Sequence, residues 1–269
     1  MSMRRSTLPG AGRSSLLGGY AALILVLLYL PIFVVAILSV NDAPATGFPF
    51  RRFTLHWFEV VFTSDALLRS IGNSIALGLV SATVATALAL ALALALRRDI
   101  PGKTAILNLL LIPIILPGII AGATLFVLFQ ILGLPISLWT SALCAHVTCV
   151  LPFAFLNIHP RLHALDPQVE EAAADLGASR RQLLTHIVLP LIRPAIVAAW
   201  LFAFSLSFDE FVRTLLLTSY ERTLPIQFWY LVVENFAPEA PAMAVVITLI
   251  SVTTSFLAFA ISGRSAAKA

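Results

Sequence analysis

Asp209 and Glu210 stand side by side in an apolar run that extends from about Ala195 to Leu217. An ionised group at membrane depth costs at least a few kcal/mol, so such residues face a cavity or a partner. One reading makes the two carboxylates a negative patch along which a cationic solute passes. The other uses Arg213, four residues after Asp209 and three after Glu210, as an intrahelical ion-pair partner. A second concentration of polar groups lies between His159 and Arg193, with Asp166, Glu170, Glu171, Asp175, Arg180, Arg181 and His186. Elsewhere the reactive side chains are sparse. Gly102-Lys103-Thr104 matches the end of a phosphate-binding loop, but that pattern needs a glycine five residues earlier, where Arg97 stands. Cys144 and Cys149 do not share a helical face and have no companions of a metal quartet. His146 and His163 read as packing and loop residues. No hydrolase, metal or cofactor constellation is present in the sequence, and the chain is expected to be no enzyme and to bind no cofactor.

The elements that carry these residues are set by composition. Apolar residues make up 59% of the chain and charged residues 11%, with a mean hydropathy of +0.97. Soluble domains carry roughly 25% charged residues, so this chain is expected to lie in lipid. A hydrocarbon core takes about 20 apolar residues in a helix, and six stretches satisfy that: Leu16–Val40, Asn73–Leu96, Ala105–Leu132, Leu138–Ile158, Ala195–Leu217 and Ala242–Ile261. Lipid leaves no other partner for the backbone of a lone segment, so an all-α polytopic protein with six transmembrane helices is predicted. Residues 1–15 and 264–269 are then tails, and 16–263 the membrane domain. The first run follows Arg4, Arg5 and Arg13 and precedes Ala43-Pro44-Ala45, which resembles a leader-cleavage site. Its apolar core is about twice that of a leader, so a retained anchor is expected.

The net charge of +4 does not point to nucleic acid, because the basic residues fall in clusters between apolar runs. Arg4, Arg5 and Arg13, then Arg97, Arg98 and Lys103, then Arg161, Arg180, Arg181 and Arg193, then Arg264 and Lys268 collect on one side. By the positive-inside rule that side is cytoplasmic, with both termini and the polar loop at 159–194. On the other side, Phe53–Phe58 and Ile226–Tyr230 are aromatic-rich, suited either to a short interfacial helix or to docking an external partner. Pro113, Pro117, Gly118 and Gly122 predict a bend in the third span. The Ala-Leu run from Ala87 to Leu96 reads as a plain apolar helix.

The polar loop has the signals of a helix-turn-helix. Asp166 can cap a helix that Pro167 opens, acidic residues occupy its early turns, and Ala172 to Ala174 favour helix. Gly177 ends or bends it, and Ser179 can cap a second helix before Pro190 and Pro194 lead into the fifth span. Small residues on one side and charges on the other make an interaction surface, or else a solvated loop.

The string EAAADLGASRRQLLTHIVLPLIRPAI resembles the signature loop of ABC-importer permeases, with Glu-Ala-Ala, the glycine and Ile-x-Leu-Pro in register. The resemblance implies that Glu171, Ala172, Ala173 and Gly177 dock as a coupling helix on a cytoplasmic ATPase, and that Ile187, Leu189 and Pro190 belong to the same loop, the last two anchoring it to the membrane domain. Phe53–Phe58, Asn73-Ser74-Ile75, Ser205–Glu210 and Thr223-Leu224-Pro225 are similar to the second permease of spermidine/putrescine importers, although importers of other small solutes share such segments. What this implies is an inner-membrane permease acting with a second permease, two ATPase subunits and an extracytoplasmic solute-binding protein. The expected solute is a polyamine, carried by alternating access, with Asp209 and Glu210 as pathway candidates. Iron(III), a phosphonate or an opine is the alternative solute. A secondary transporter driven by an ion gradient is the rival mechanism; it would show paired discontinuous helices in inverted repeats, which the sequence does not display.

Overall fold

The computed structural model describes residues 11–44, 46–97, 100–233 and 237–266. Residues 1–10 and 267–269 of the expected tails, with Ala45, Arg98 and Glu234, lie outside the described residues. The helices are α1 (Ala11–Leu38), α2 (His56–Thr63), α3 (Asp65–Ala95), α4 (Lys103–Ile115), α5 (Gly118–Ile131), α6 (Leu143–His163), α7 (Pro167–Asp175), α8 (Arg180–Gln182), α9 (Leu189–Phe208), α10 (Val212–Leu217), α11 (Leu224–Val233) and α12 (Ala240–Ala266). A π-helical turn at Leu138–Ala142 leads into α6, and another at Leu183–Val188 joins α8 to α9. Among the described residues, five helices are long and apolar enough to cross a membrane, and the count reaches six when the bent pair α4–α5 is taken as one span. The all-α, six-span expectation holds on that count.

α3, α6 and α9 form the centre, with α12 packed along α9 and α1 along α12. The close approach in the centre follows from residue size. α3 buries Ser70, Ser74, Gly78, Ser81, Ala82, Ala85, Ala89 and Ala93, small residues at helical spacing that let its neighbours' backbones come near. The Ala-Leu run is therefore more than a smooth apolar helix: Ala89, Ala93 and Leu96 are buried against Phe155, Ile158, Leu162 and Ile192. α1 has no buried residue in its apolar stretch, as expected of a helix whose surroundings are lipid or another membrane chain. α2 and α11 are short helices at the end opposite the polar loop, where the aromatic segments predicted them.

Gly78 marks the tightest place in the centre. A Cβ there would lie 2.9 Å from Cε2 of Phe204, a buried ring stacked between Trp200 and Phe208. The ring cannot withdraw without disturbing both neighbours. Gly78→Ala is expected to destabilise by about 1–3 kcal/mol, the usual cost of overpacking. A thermal-shift assay of the detergent-purified chain checks this, and an unchanged midpoint would mean that α3 and α9 can separate freely.

Two spans are interrupted. Between α4 and α5 the chain turns by 108° at Leu116 and Pro117. Pro117 biases the residue before it towards extended backbone, and Leu116 has φ −72° and ψ 129°. The bend predicted for the third span is thus a full break. The fifth span differs more. Helix runs without interruption from Arg180 through Pro190 and Pro194 to Phe208, so the prolines do not mark its beginning. The π-helical turn ends at Val188, two residues before Pro190, and widens the backbone of the turn that faces a proline with no N–H to offer. The break comes instead at residues 209–211, where the sequence reads as continuous helix.

Candidate functional site

The loop between α6 and α9 is built by local hydrogen bonds. Asp166 accepts from the Gln168 amide at 2.9 Å and caps α7, with Pro167 as its first residue. At the other end of α7, the Gly177 amide donates to Ala174 O at 2.9 Å and the Ala178 amide to Ala173 O at 3.0 Å. This pair of bonds is a Schellman motif, and it sets Gly177 at φ +84°. Ser179 and Gln182 then form a reciprocal capping box at the start of α8.

That turn presents a surface. Glu171 and Ala172 are exposed, Ala173 is the buried residue of α7, and Leu176 at the tip is 89% exposed. Leu176, Gly177, Ala178, Gln182, His186 and Ile187 line a hollow of about 320 Å³. Leu189 packs against the core at the loop's root, whereas Pro190 is exposed. The loop is held to the body by an ion pair between Arg97, just past α3, and Glu170 of α7. An apolar tip on a small-residue helix, backed by a fixed turn, is suited to insertion into a cleft of another protein.

The second site is the break in the fifth span. Glu210 Oε2 lies 2.5 Å from Arg213 Nη1, and Oε1 accepts from the Arg213 amide at 3.0 Å, so one carboxylate both pairs with the guanidinium and supplies an acceptor at the start of α10. The two side chains are only 13% and 12% exposed. Arg213 in turn lies against the broken third span: a Cβ on Gly118 would meet its Nη1 at 3.5 Å, and one on Gly122 its Cα at 3.2 Å. The two glycines therefore admit α10, and the two interrupted spans meet each other.

Asp209 is separate from that pair. Its carboxylate accepts from Ser251 of α12 at 2.6 Å and is exposed. The sequence puts both acids within reach of Arg213; the structure brings only Glu210 to it. Three residues of the cluster carried no signal. His146 bridges Ser207 and Thr214, each at 2.7 Å, and is buried. Ser251 carries no signal, and neither does Cys149, whose Sγ is 3.8 Å from Glu210 Oε2. Among the described residues no group of three or more His, Cys, Asp or Glu is arranged to hold a metal.

The family described as "Binding-protein-dependent transport system inner membrane component" matches residues 85–268, which include both sites. The spermidine/putrescine transport system permease protein PotC of Escherichia coli (strain K12) is 35% identical over 237 residues, covering 87% of this chain and 89% of the relative. The putrescine transport system permease protein PotI of the same strain is 30% identical over 250 residues, covering 88% and 87%. A chain from the crystal structure of a bacterial ABC transporter involved in the import of the acidic polysaccharide alginate superposes with a TM-score of 0.71 at 17% identity, covering 94% of this chain and 96% of that one.

Proposed function

Because the chain belongs to the family of binding-protein-dependent transport system inner membrane components, we propose that it lines the pathway of an ATP-driven importer whose solute is a polyamine such as putrescine or spermidine. The observation that carries the solute class is similarity along nearly the whole length to permeases named for those solutes. The partners are a second permease, a pair of cytoplasmic ATPase subunits and an extracytoplasmic solute-binding protein. Both termini and the 159–194 loop face the cytoplasm. This places Glu171, Ala172, Gly177 and the Leu176 tip against the ATPase, with the buried Ala173 and with Ile187, Leu189 and Pro190 behind them.

The mechanism follows from continuity. ATP-driven closure of the ATPase pair displaces α7 and its turn. The helix from Arg180 to Phe208 is 29 residues long, a rod of about 40 Å at 1.5 Å per residue. It carries that displacement to the break at residues 209–211. There Glu210 is neutralised by Arg213, so the attraction for a cationic solute falls to Asp209, whose carboxylate is exposed and held by a neutral hydroxyl. The discontinuous helices also suit an ion-gradient transporter; family membership favours the ATP-driven reading.

The test is ATP hydrolysis and uptake by the complex in proteoliposomes, scanned over putrescine, spermidine, iron(III), a phosphonate and an opine. Polyamine with its binding protein is expected to stimulate hydrolysis. Asp209→Asn should raise the KM for polyamine by about tenfold, the loss of one charge-assisted contact. Stimulation by another solute alone would replace the polyamine, and uptake without ATP would remove the importer reading.

A further inference from the structure

One side chain spans the break in the fifth span. His146 lies on α6 and is 1% exposed. Its Nδ1 is 2.7 Å from Oγ of Ser207, in the last turn of α9, and its Nε2 is 2.7 Å from Oγ1 of Thr214, in the first turn of α10. The protons of this chain can be placed. The Thr214 hydroxyl donates to the Glu210 carbonyl at 2.8 Å, so towards the imidazole it can only accept. Nε2 therefore carries the hydrogen, Nδ1 accepts, and Ser207 donates to it. Both nitrogens are used and both hydroxyls are buried, so losing either bond leaves a polar group unpaired in the interior.

The direction of these bonds matters for movement. The Asp209 and Glu210 amides close the end of α9 on Ser205 O and Ser207 O, and Phe211 O accepts from Leu215 in α10. Each of these bonds belongs to one helix or the other, and a break of this kind can act as a hinge. The imidazole fixes both sides of it from a third helix. On the far side, Glu210 and Arg213 carry the connection to α5 at Gly118.

We infer that His146 is a positioning residue that makes α9, α10 and α6 move as one body across the break, so that displacement of the loop reaches α10 and the α5 half-span instead of being absorbed at residues 209–211. The inference rests on the reading of the chain as an ATP-driven permease. His146 does not touch solute in this role; it sets how much transport each ATP yields.

The experiment uses the complete complex in proteoliposomes and reads solute imported per ATP hydrolysed. His146→Phe keeps a ring and removes both nitrogens. Uptake at saturating solute should fall about tenfold, as expected for loss of a buried hydrogen-bonding group, while ATP hydrolysis and the KM for solute stay within about twofold. His146→Gln offers one donor and one acceptor at nearly the spacing of the two nitrogens, and should recover most of the yield. If His146→Phe does not accumulate, Ser207→Ala and Thr214→Val each cut one of the two bonds and should each lower the yield. A yield unchanged in His146→Phe, or in both of these substitutes, overturns the inference. So does a folded His146→Gln complex as poor as His146→Phe. A wild-type complex without ATP-driven uptake would instead remove the permease reading, and this inference with it.

Discussion

Arg213→Met lowers the thermal midpoint of the purified chain by about 10 °C, and adding Glu210→Gln returns most of the loss. The first half follows from leaving a carboxylate alone. Glu210 and Arg213 are almost wholly enclosed, and breaking a buried pair from one side costs about 3–5 kcal/mol because the survivor cannot be solvated. For a chain of this size each kcal/mol moves the midpoint by about 2–4 °C. The second half follows because neutralising both members removes the unpaired charge. Methionine keeps much of the arginine's length beside Gly118, and glutamine can still accept from the residue-213 amide as Glu210 does now. Thermal shift on wild type, both single variants and the double variant forms a complete cycle. If Arg213→Met is no worse than the double variant, the ion pair is not what fixes the start of α10.

The same cluster shows where the sequence is legible. The loop's turns are written within four residues of themselves: Asp166 to Gln168, Ser179 to Gln182, and Gly177 to Ala174. Each carries a residue type that local sterics or capping demands, so both loop helices can be read from the chain alone. Hydrophobic length gives the spans in the same way. The break at 209–211 has no such mark. Ser-Phe-Asp-Glu-Phe contains neither proline nor glycine, and the interruption is sustained by partners distant in sequence. His146 is 61 residues from Ser207 and 68 from Thr214, and Ser251 is 42 from Asp209. A lone histidine in an apolar run reads as packing until those hydroxyls are brought to it. Pro190 and Pro194 mislead in the opposite sense, because a π-helical turn absorbs the first and the helix continues through the second. The third span lies between these cases. Pro117 and Gly118 announce a bend, but its 108° depends on α10 occupying the space the glycines leave.

Gly177→Val is expected to cut uptake by about tenfold or more while the chain still inserts and accumulates. Nothing stands within 4 Å of a Cβ added at Gly177, so the substitution meets no clash. Its effect comes entirely from φ +84°, which costs an ordinary L-residue roughly 1–2 kcal/mol and a β-branched one more. The chain can relieve that cost by giving up the bonds from Gly177 to Ala174 and from Ala178 to Ala173. Doing so turns the Leu176 tip away from the position set by α7 and the capping box of α8. Because the membrane core makes no use of this turn, stability should fall little and coupling should fall greatly. Three substitutions separate the backbone cause from side-chain bulk. Asn tolerates the left-handed region and should keep most uptake, Ala should be intermediate, and Val worst. Co-purification of the ATPase with each variant should follow the same order. If Asn fails as badly as Val, the surface around Gly177 needs a bare backbone for close contact, and the positive φ is not the reason for the glycine.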